Sequence, residues 1–165
     1  MSEGSVDVIV EIPAGSRNKY EYDHTEHRIR LDRRLFSATV YPADYGFVPE
    51  TLALDGDPLD ALVLVVDPTF PGCLVRVRVL GVLWMHDEAG PDAKLLTVLE
   101  HDPQWDDAHD IDDVPEHLRN EIAHFFSIYK DLEPEKSVEV RGFADRSSAL
   151  AELDLCRIAY RAVET

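Results

Sequence analysis

Val6, Val8, Val10 and Ile12 alternate with Asp7, Ile9 and Glu11. This period of two predicts a strand ended by Pro13, with Glu11 turned away from the valine face. Lys19-Tyr20-Glu21-Tyr22 alternates again, placing Lys19 and Glu21 on one face and the tyrosines on the other. A third short strand is predicted over His27–Leu31, with Ile29 and Leu31 opposite Arg28 and Arg30. From Asp32 to Pro49 the chain reads as irregular and aromatic-rich, broken by Pro42 and Gly46. Further strands are predicted over Ala61–Val66, Leu74–Leu83 and Leu95–Leu99, with an acidic loop from Asp87 to Lys94 between the last two. After a polar connection from Asp102 to Asp113 the period changes. Leu118, Ile122, Phe125 and Tyr129 form a helical stripe, started by Asp113 and Pro115. A last strand is predicted at Ser137–Val140, then a helix capped by Ser147, with Ala149, Leu153, Cys156 and Tyr160 on one face. Six or seven short strands followed mainly by two helices predict an α+β fold with a small barrel or closed sheet. With no repeat or linker, residues 1–165 are expected to form one domain.

Composition changes the picture chiefly through charge. A chain of 165 residues has room for one full core, and 45% apolar with 30% charged residues is ordinary for a globular domain. A net charge of −17 is not ordinary. It argues against a general nucleic-acid binder and against adhesion to an anionic membrane. The apolar runs Ala61–Val66 and Leu80–Met85 are too short to span a bilayer. Met1-Ser2-Glu3-Gly4 lacks the basic start of an export signal, and Cys73 and Cys156 read as reduced core thiols. A cytoplasmic protein is expected.

The densest chemistry lies in Asp55-Gly56-Asp57-Pro58-Leu59-Asp60, directly ahead of the apolar run 61–66. Gly56 permits a tight turn and Pro58 stiffens it, so three carboxylates are held together at a strand end. Crowded carboxylates resist ionising unless cations lie between them, and hard Mg²⁺ or Mn²⁺ suits oxygen ligands. A solvated acidic turn is the plain alternative. An EF-hand is excluded, because Asp60 falls where that loop needs its glycine and Val66 where it needs its closing glutamate.

Five blocks carry a resemblance. DGDPLDALV, preceded by YPADYGFVPETLALD, is similar to the signature region of the soluble family I inorganic pyrophosphatases. EIPAGSRNKYEYD, LDRRLFSATVYP, MHDEAGPDAK and HFFSIYKDLEPEK resemble the same family, in its order and over most of the chain. The resemblance implies a five-stranded OB-like barrel with additional short strands and two flanking helices. It also implies Mg²⁺-dependent hydrolysis of pyrophosphate, with Mn²⁺ or Zn²⁺ as substitutes, and a homohexamer. By motif position, Asp55, Asp60 and Asp92 resemble ligands of the tightest metal, with Asp87 and Asp92 binding a further ion and Glu11 near the metals. Lys19, Arg33, Tyr45, Lys94, Tyr129 and Lys130 resemble the phosphate-holding groups, with Glu21 a supporting acid. Asp57 resembles the carboxylate that activates water, a role also described for Asp92.

Those residue types belong together chemically. Pyrophosphate repels an attacking water, so cations are needed to neutralise the phosphates and acidify the water. A carboxylate then takes the proton, while Lys, Arg and Tyr grip the non-bridging oxygens. The alternative, a non-catalytic cation-binding or OB-type interaction module, leaves Lys19, Arg33, Lys94 and Lys130 without a shared purpose. A polyphosphate or nucleotide phosphohydrolase finds no Gly-rich P-loop in its support. His24, His27, Glu88 and Ala89 receive no role from the sequence.

Overall fold

The computed structural model describes residues 3–164; Met1 and Ser2, part of the stretch read for an export signal, lie outside them. Eight strands and two helices follow one another as β1 (Ser5–Ile12), β2 (Asn18–Asp23), β3 (Arg28–Arg34), β4 (Asp44–Phe47), β5 (Asp60–Leu64), β6 (Leu74–Asp87), β7 (Gly90–Leu99), α1 (Glu116–Ile128), β8 (Val138–Ala144) and α2 (Arg146–Glu164). Strands order as β1-β4-β5-β7-β6-β8, and β1 also pairs with β6. That extra pairing closes β1, β4, β5, β7 and β6 into a five-stranded barrel, while β8 extends the far end of β6. The expected α+β, OB-like barrel with two helices is therefore present. β2 and β3 form a separate two-stranded ribbon.

Alternation along the barrel strands feeds two apolar clusters. On β5, Leu62 and Leu64 join Ile122, Phe125 and Phe126 of α1, whereas Ala61 and Val63 join Ala149, Leu153 and Cys156 of α2. β7 divides likewise, Leu96 and Val98 toward α1 and Leu95 toward α2. Strands buried on both faces read as continuous apolar runs, which is why 61–64 and 95–99 stand out in the sequence.

The structure corrects several sequence boundaries. The stretch 32–49 is not wholly irregular: β3 runs on to Arg34, and β4 occupies Asp44–Phe47. β4 is invisible to periodicity because it is four residues long and contains a glycine. That glycine is required, since a Cβ on Gly46 would lie 1.9 Å from the Ile9 carbonyl oxygen. The loop expected at 87–94 is a tight hairpin, with Asp87 and Gly90 paired and only Glu88 and Ala89 between β6 and β7. Asp113 does not start α1. It completes a capping box with Asp110 around the 3₁₀ turn Ile111–Asp113, and α1 begins after Pro115 with no side-chain cap. At α2 the cap is Asp145, whose Oδ1 accepts the Ser148 N–H at 2.9 Å, and Ser147 is exposed. β8 extends to Ala144 through its pairing with β6. Among the described residues, no helix is long and apolar enough to cross a membrane.

Gly46→Ala forces β4 away from β1, and the expected cost is about 3 kcal/mol, in the range of severe overpacking. Equilibrium denaturant unfolding measures it, and an unchanged midpoint would contradict the close approach.

Candidate active site

β1 supplies the first site group through an irregularity. Val10 pairs with Gly46 and Ile12 with Tyr45, so Glu11 is an extra residue in a bulge. Bulges re-aim side chains, and this one sends Glu11 between barrel and ribbon, where its Oε2 accepts the Tyr22 N–H at 2.8 Å. The parallel pairing of β5 with β7 sets Asp60 beside Lys94, and the β6–β7 hairpin carries Asp87 and Asp92. Asp55 and Asp57 sit in the turn before β5, where Asp55 Oδ1 accepts the Asp57 N–H at 2.9 Å. The ribbon register puts Lys19 opposite Arg33. Tyr129 and Lys130 end α1.

All thirteen residues expected from the sequence line one cavity of about 550 Å³ at the barrel mouth. Its deepest cation is Lys94, whose side chain is 2% exposed. Lys94 Nζ lies 3.0 Å from Asp60 Oδ2, 3.1 Å from Asp92 Oδ2 and 2.8 Å from the Tyr45 hydroxyl. Burial opposes its charge, yet Asp60 holds the ammonium well above its ordinary pKa. Burial also pushes the Tyr45 and Tyr129 hydroxyls up, so both enter the site as neutral donors. On the ribbon, Lys19 Nζ bridges Glu21 at 2.6 Å and Asp32 at 3.3 Å, and Asp32 also takes Arg33 Nη1.

Three of the carboxylates, Glu11, Asp55 and Asp92, resist ionisation. Glu11 is pushed up to about 7, chiefly by burial, with Asp60 adding to the effect. Burial also raises Asp55 and Asp92, although Lys94 pulls the latter down. Carboxylates outnumber ammonium and guanidinium groups around the cavity. An all-oxygen set with unfavourably placed negative charge fits hard divalent cations. Among the described residues no three His, Cys, Asp or Glu side chains stand ready as a ligand cluster; Asp60 and Asp92 hold Lys94 instead.

The structure adds residues that the sequence left unassigned. Asp32, His24 and Lys136 also line the cavity. Glu88 pairs with Lys130 at 3.6 Å and Lys136 at 3.1 Å. Despite the cost of partial burial, these contacts and hydrogen bonds from the backbone bring its carboxyl down to about 2. The only local signal for Asp32 is its adjacency to Arg33; its contact with Lys19 depends on the ribbon register.

Fold and site together define a class: an α+β barrel whose acidic mouth carries its own set of Lys, Arg and Tyr donors. The inorganic pyrophosphatase family matches residues 8–161. An inorganic pyrophosphatase of Streptomyces coelicolor is 60% identical over 148 residues, covering 90% of this chain and 91% of that protein. One from Methanosarcina mazei is 55% identical over 150 residues, covering 90% and 88%. The crystal structure of inorganic pyrophosphatase from Thermus thermophilus superposes with a TM-score of 0.94 at 50% identity, covering 97% of this chain and 93% of that one. The chain belongs to the inorganic pyrophosphatase family.

Glu11 makes stability depend on pH in the metal-free protein. Its folded-state pKa of about 7 exceeds the ordinary 4.5, so the folded chain binds the proton more tightly than the unfolded chain. Its contribution is greatest below pH 4.5 and is lost as pH rises through 7. Unfolding measured in chelator from acid to neutral pH should show the wild type losing stability relative to Glu11→Gln. Parallel profiles would refute the assignment.

Proposed function

We propose that the barrel mouth hydrolyses pyrophosphate with several Mg²⁺ ions, which Mn²⁺ or Zn²⁺ can replace. Hydrolysis of inorganic pyrophosphate to two phosphates is the activity that goes with the family. The supporting observation is one cavity lined both by desolvated carboxylates and by convergent phosphate donors.

Asp55, Asp60 and Asp92 would hold the tightest cation, Asp87 and Asp92 a further one, and Glu11 stands beside them. When bound, the cations neutralise phosphate charge and make the attacking water more acidic. Asp57, exposed at the lip, accepts the water proton or orients the water; Asp92 is the competing acceptor. Arg33 and Lys19 grip phosphate from the ribbon, and Lys94, Tyr45, Tyr129 and Lys130 do so from the barrel and α1. Glu21 supports Lys19 through their 2.6 Å contact.

Phosphate release from Mg-pyrophosphate, compared with ATP and tripolyphosphate, tests the substrate. Activity should depend on Mg²⁺ and be inhibited by Ca²⁺; full turnover in excess EDTA, or with Ca²⁺ alone, counts against this. The division of labour is tested by titrating Mg²⁺ against rate for two variants. Asp57→Asn should lower turnover roughly 10²–10⁴-fold without rescue by Mg²⁺. Asp60→Asn should lose metal affinity and recover part of its rate at high Mg²⁺. If Mg²⁺ rescues Asp57→Asn while Asp92→Asn binds metal normally and stays inactive, the base is Asp92.

The assembly is a cytoplasmic homohexamer. Leu155, Ile158 and Val163 leave apolar surface exposed on α2 for a closed assembly to cover, and both cysteines are unpaired. A solution mass of one chain, or recovery of the protein from outside the cytoplasm, counts against this.

A further inference from the structure

Beside the cavity lies a buried acid that takes no part in the chemistry above. Glu133 has a side chain 5% exposed, and its Oε1 lies 2.7 Å from Arg33 Nη2. Among the described residues its other oxygen, Oε2, is buried without a hydrogen-bond partner, and so is Arg33 Nε. Both unpartnered atoms belong to the same ion pair. The Nε–Nη2 edge of a guanidinium matches the two oxygens of a carboxylate as a parallel fork. A small rotation would therefore close this pair into two bonds. Arg33 Nη1 is engaged separately, by Asp32.

Position gives the pair its meaning. Arg33 stands in β3, opposite Lys19 on the ribbon. Glu133 follows α1, and its N–H donates to the Lys130 carbonyl at 2.9 Å. The ion pair thus ties the wall that carries Lys19 and Arg33 to the wall that carries Tyr129 and Lys130. An acid here is costly twice over. Burial desolvates it, and its charge weakens the attraction of Arg33 for an anion. Those costs make sense for a side chain that fixes the plane of the guanidinium.

We propose that Glu133 is a positioning residue for pyrophosphate hydrolysis. It anchors the Nε–Nη2 edge of Arg33 and leaves Nη1 to a substrate phosphate, with Asp32 holding Nη1 until the phosphate arrives. The inference rests on the reading of Arg33 as a phosphate-binding group.

A double-mutant cycle on the full chain tests it, using steady-state kinetics with Mg-pyrophosphate. Glu133→Gln should lower kcat/KM roughly 10- to 10²-fold, as expected for a misplaced binding group, with KM rising more than kcat falls. The same substitution placed in Arg33→Ala should change kcat/KM little further, because its effect passes through Arg33. If Arg33→Ala matches the wild type, the Arg33 reading itself fails. If Arg33→Ala is impaired but Glu133→Gln is not, or its full loss recurs in the Arg33→Ala background, the positioning role is overturned. Melting in chelator reports whether each variant is folded. Should Glu133→Gln not fold, Glu133→Asp keeps the charge one methylene shorter and carries the same cycle, with an additive loss again overturning the proposal.

Discussion

One buried ammonium holds the site together. Lys94 donates to Asp60, Asp92 and Tyr45, so its three N–H groups meet three acceptors at a nearly fully buried position. Its Nζ also lies 5.0 Å from the Tyr45 ring centre and 5.3 Å from that of Phe126, where the ring faces favour a cation. A buried charge survives only when paired this completely. The pairing depends in turn on the parallel register of β5 and β7, which sets Asp60 beside Lys94. Slipping that register by one residue would turn Lys94 to the other face of the strand and bury an unpaired carboxylate. Barrel closure and site chemistry are therefore one constraint.

That constraint explains how a chain of net charge −17 can carry an anion site. Lys94 lets two carboxylates lie close together before any other cation is present, but Glu11 and Asp55 remain harder to ionise than free carboxyls, chiefly because burial disfavours their charges. Glu11 keeps its proton near neutrality, and a carboxyl held up in this way gives up its proton when it takes up a cation. Positive charge in the cavity is arranged in two tiers. Lys94 is fixed at the base, and Lys19, Arg33 and Lys130 ring it in pairs with Glu21, Asp32, Asp87 and Glu88. Each of those pairs is partly solvated, so breaking one leaves its charges in contact with water rather than bare.

What could be read from the sequence follows from range. Val6 to Ile12 alternates over most of β1, and the core of β5 is one apolar run, so both are legible locally. β4 is not, because its four residues owe their conformation to pairing on both sides and to a glycine that makes room for the Ile9 carbonyl. The site residues are legible where motif blocks carry them, as with Asp55 to Asp60. The contacts of Asp32, Glu88 and Glu133 are not legible even though the blocks contain these residues, because each acquires its partner only through folding. Asp32 meets Lys19 across a strand pair, Glu88 in the β6–β7 turn meets Lys136 ahead of β8, and Glu133 meets Arg33 between helix end and ribbon.

The ribbon is the remaining piece. A two-stranded hairpin is marginal alone in water, so β2 and β3 must borrow stability from the barrel. Tyr22 supplies much of the attachment. Its N–H donates to Glu11, and its ring packs at 5.6 Å from that of Phe47. One oxygen of Glu11 thus accepts from the ribbon while the carboxylate lines the cavity. A bulge in β1 is what makes both contacts possible from one side chain, since a regular pairing would keep Glu11 in the ladder between Val10 and Ile12. The same carboxylate therefore docks the ribbon, with its Lys19 and Arg33, and faces the acidic floor. The irregularity in the strand is where the two halves of the site are brought into register.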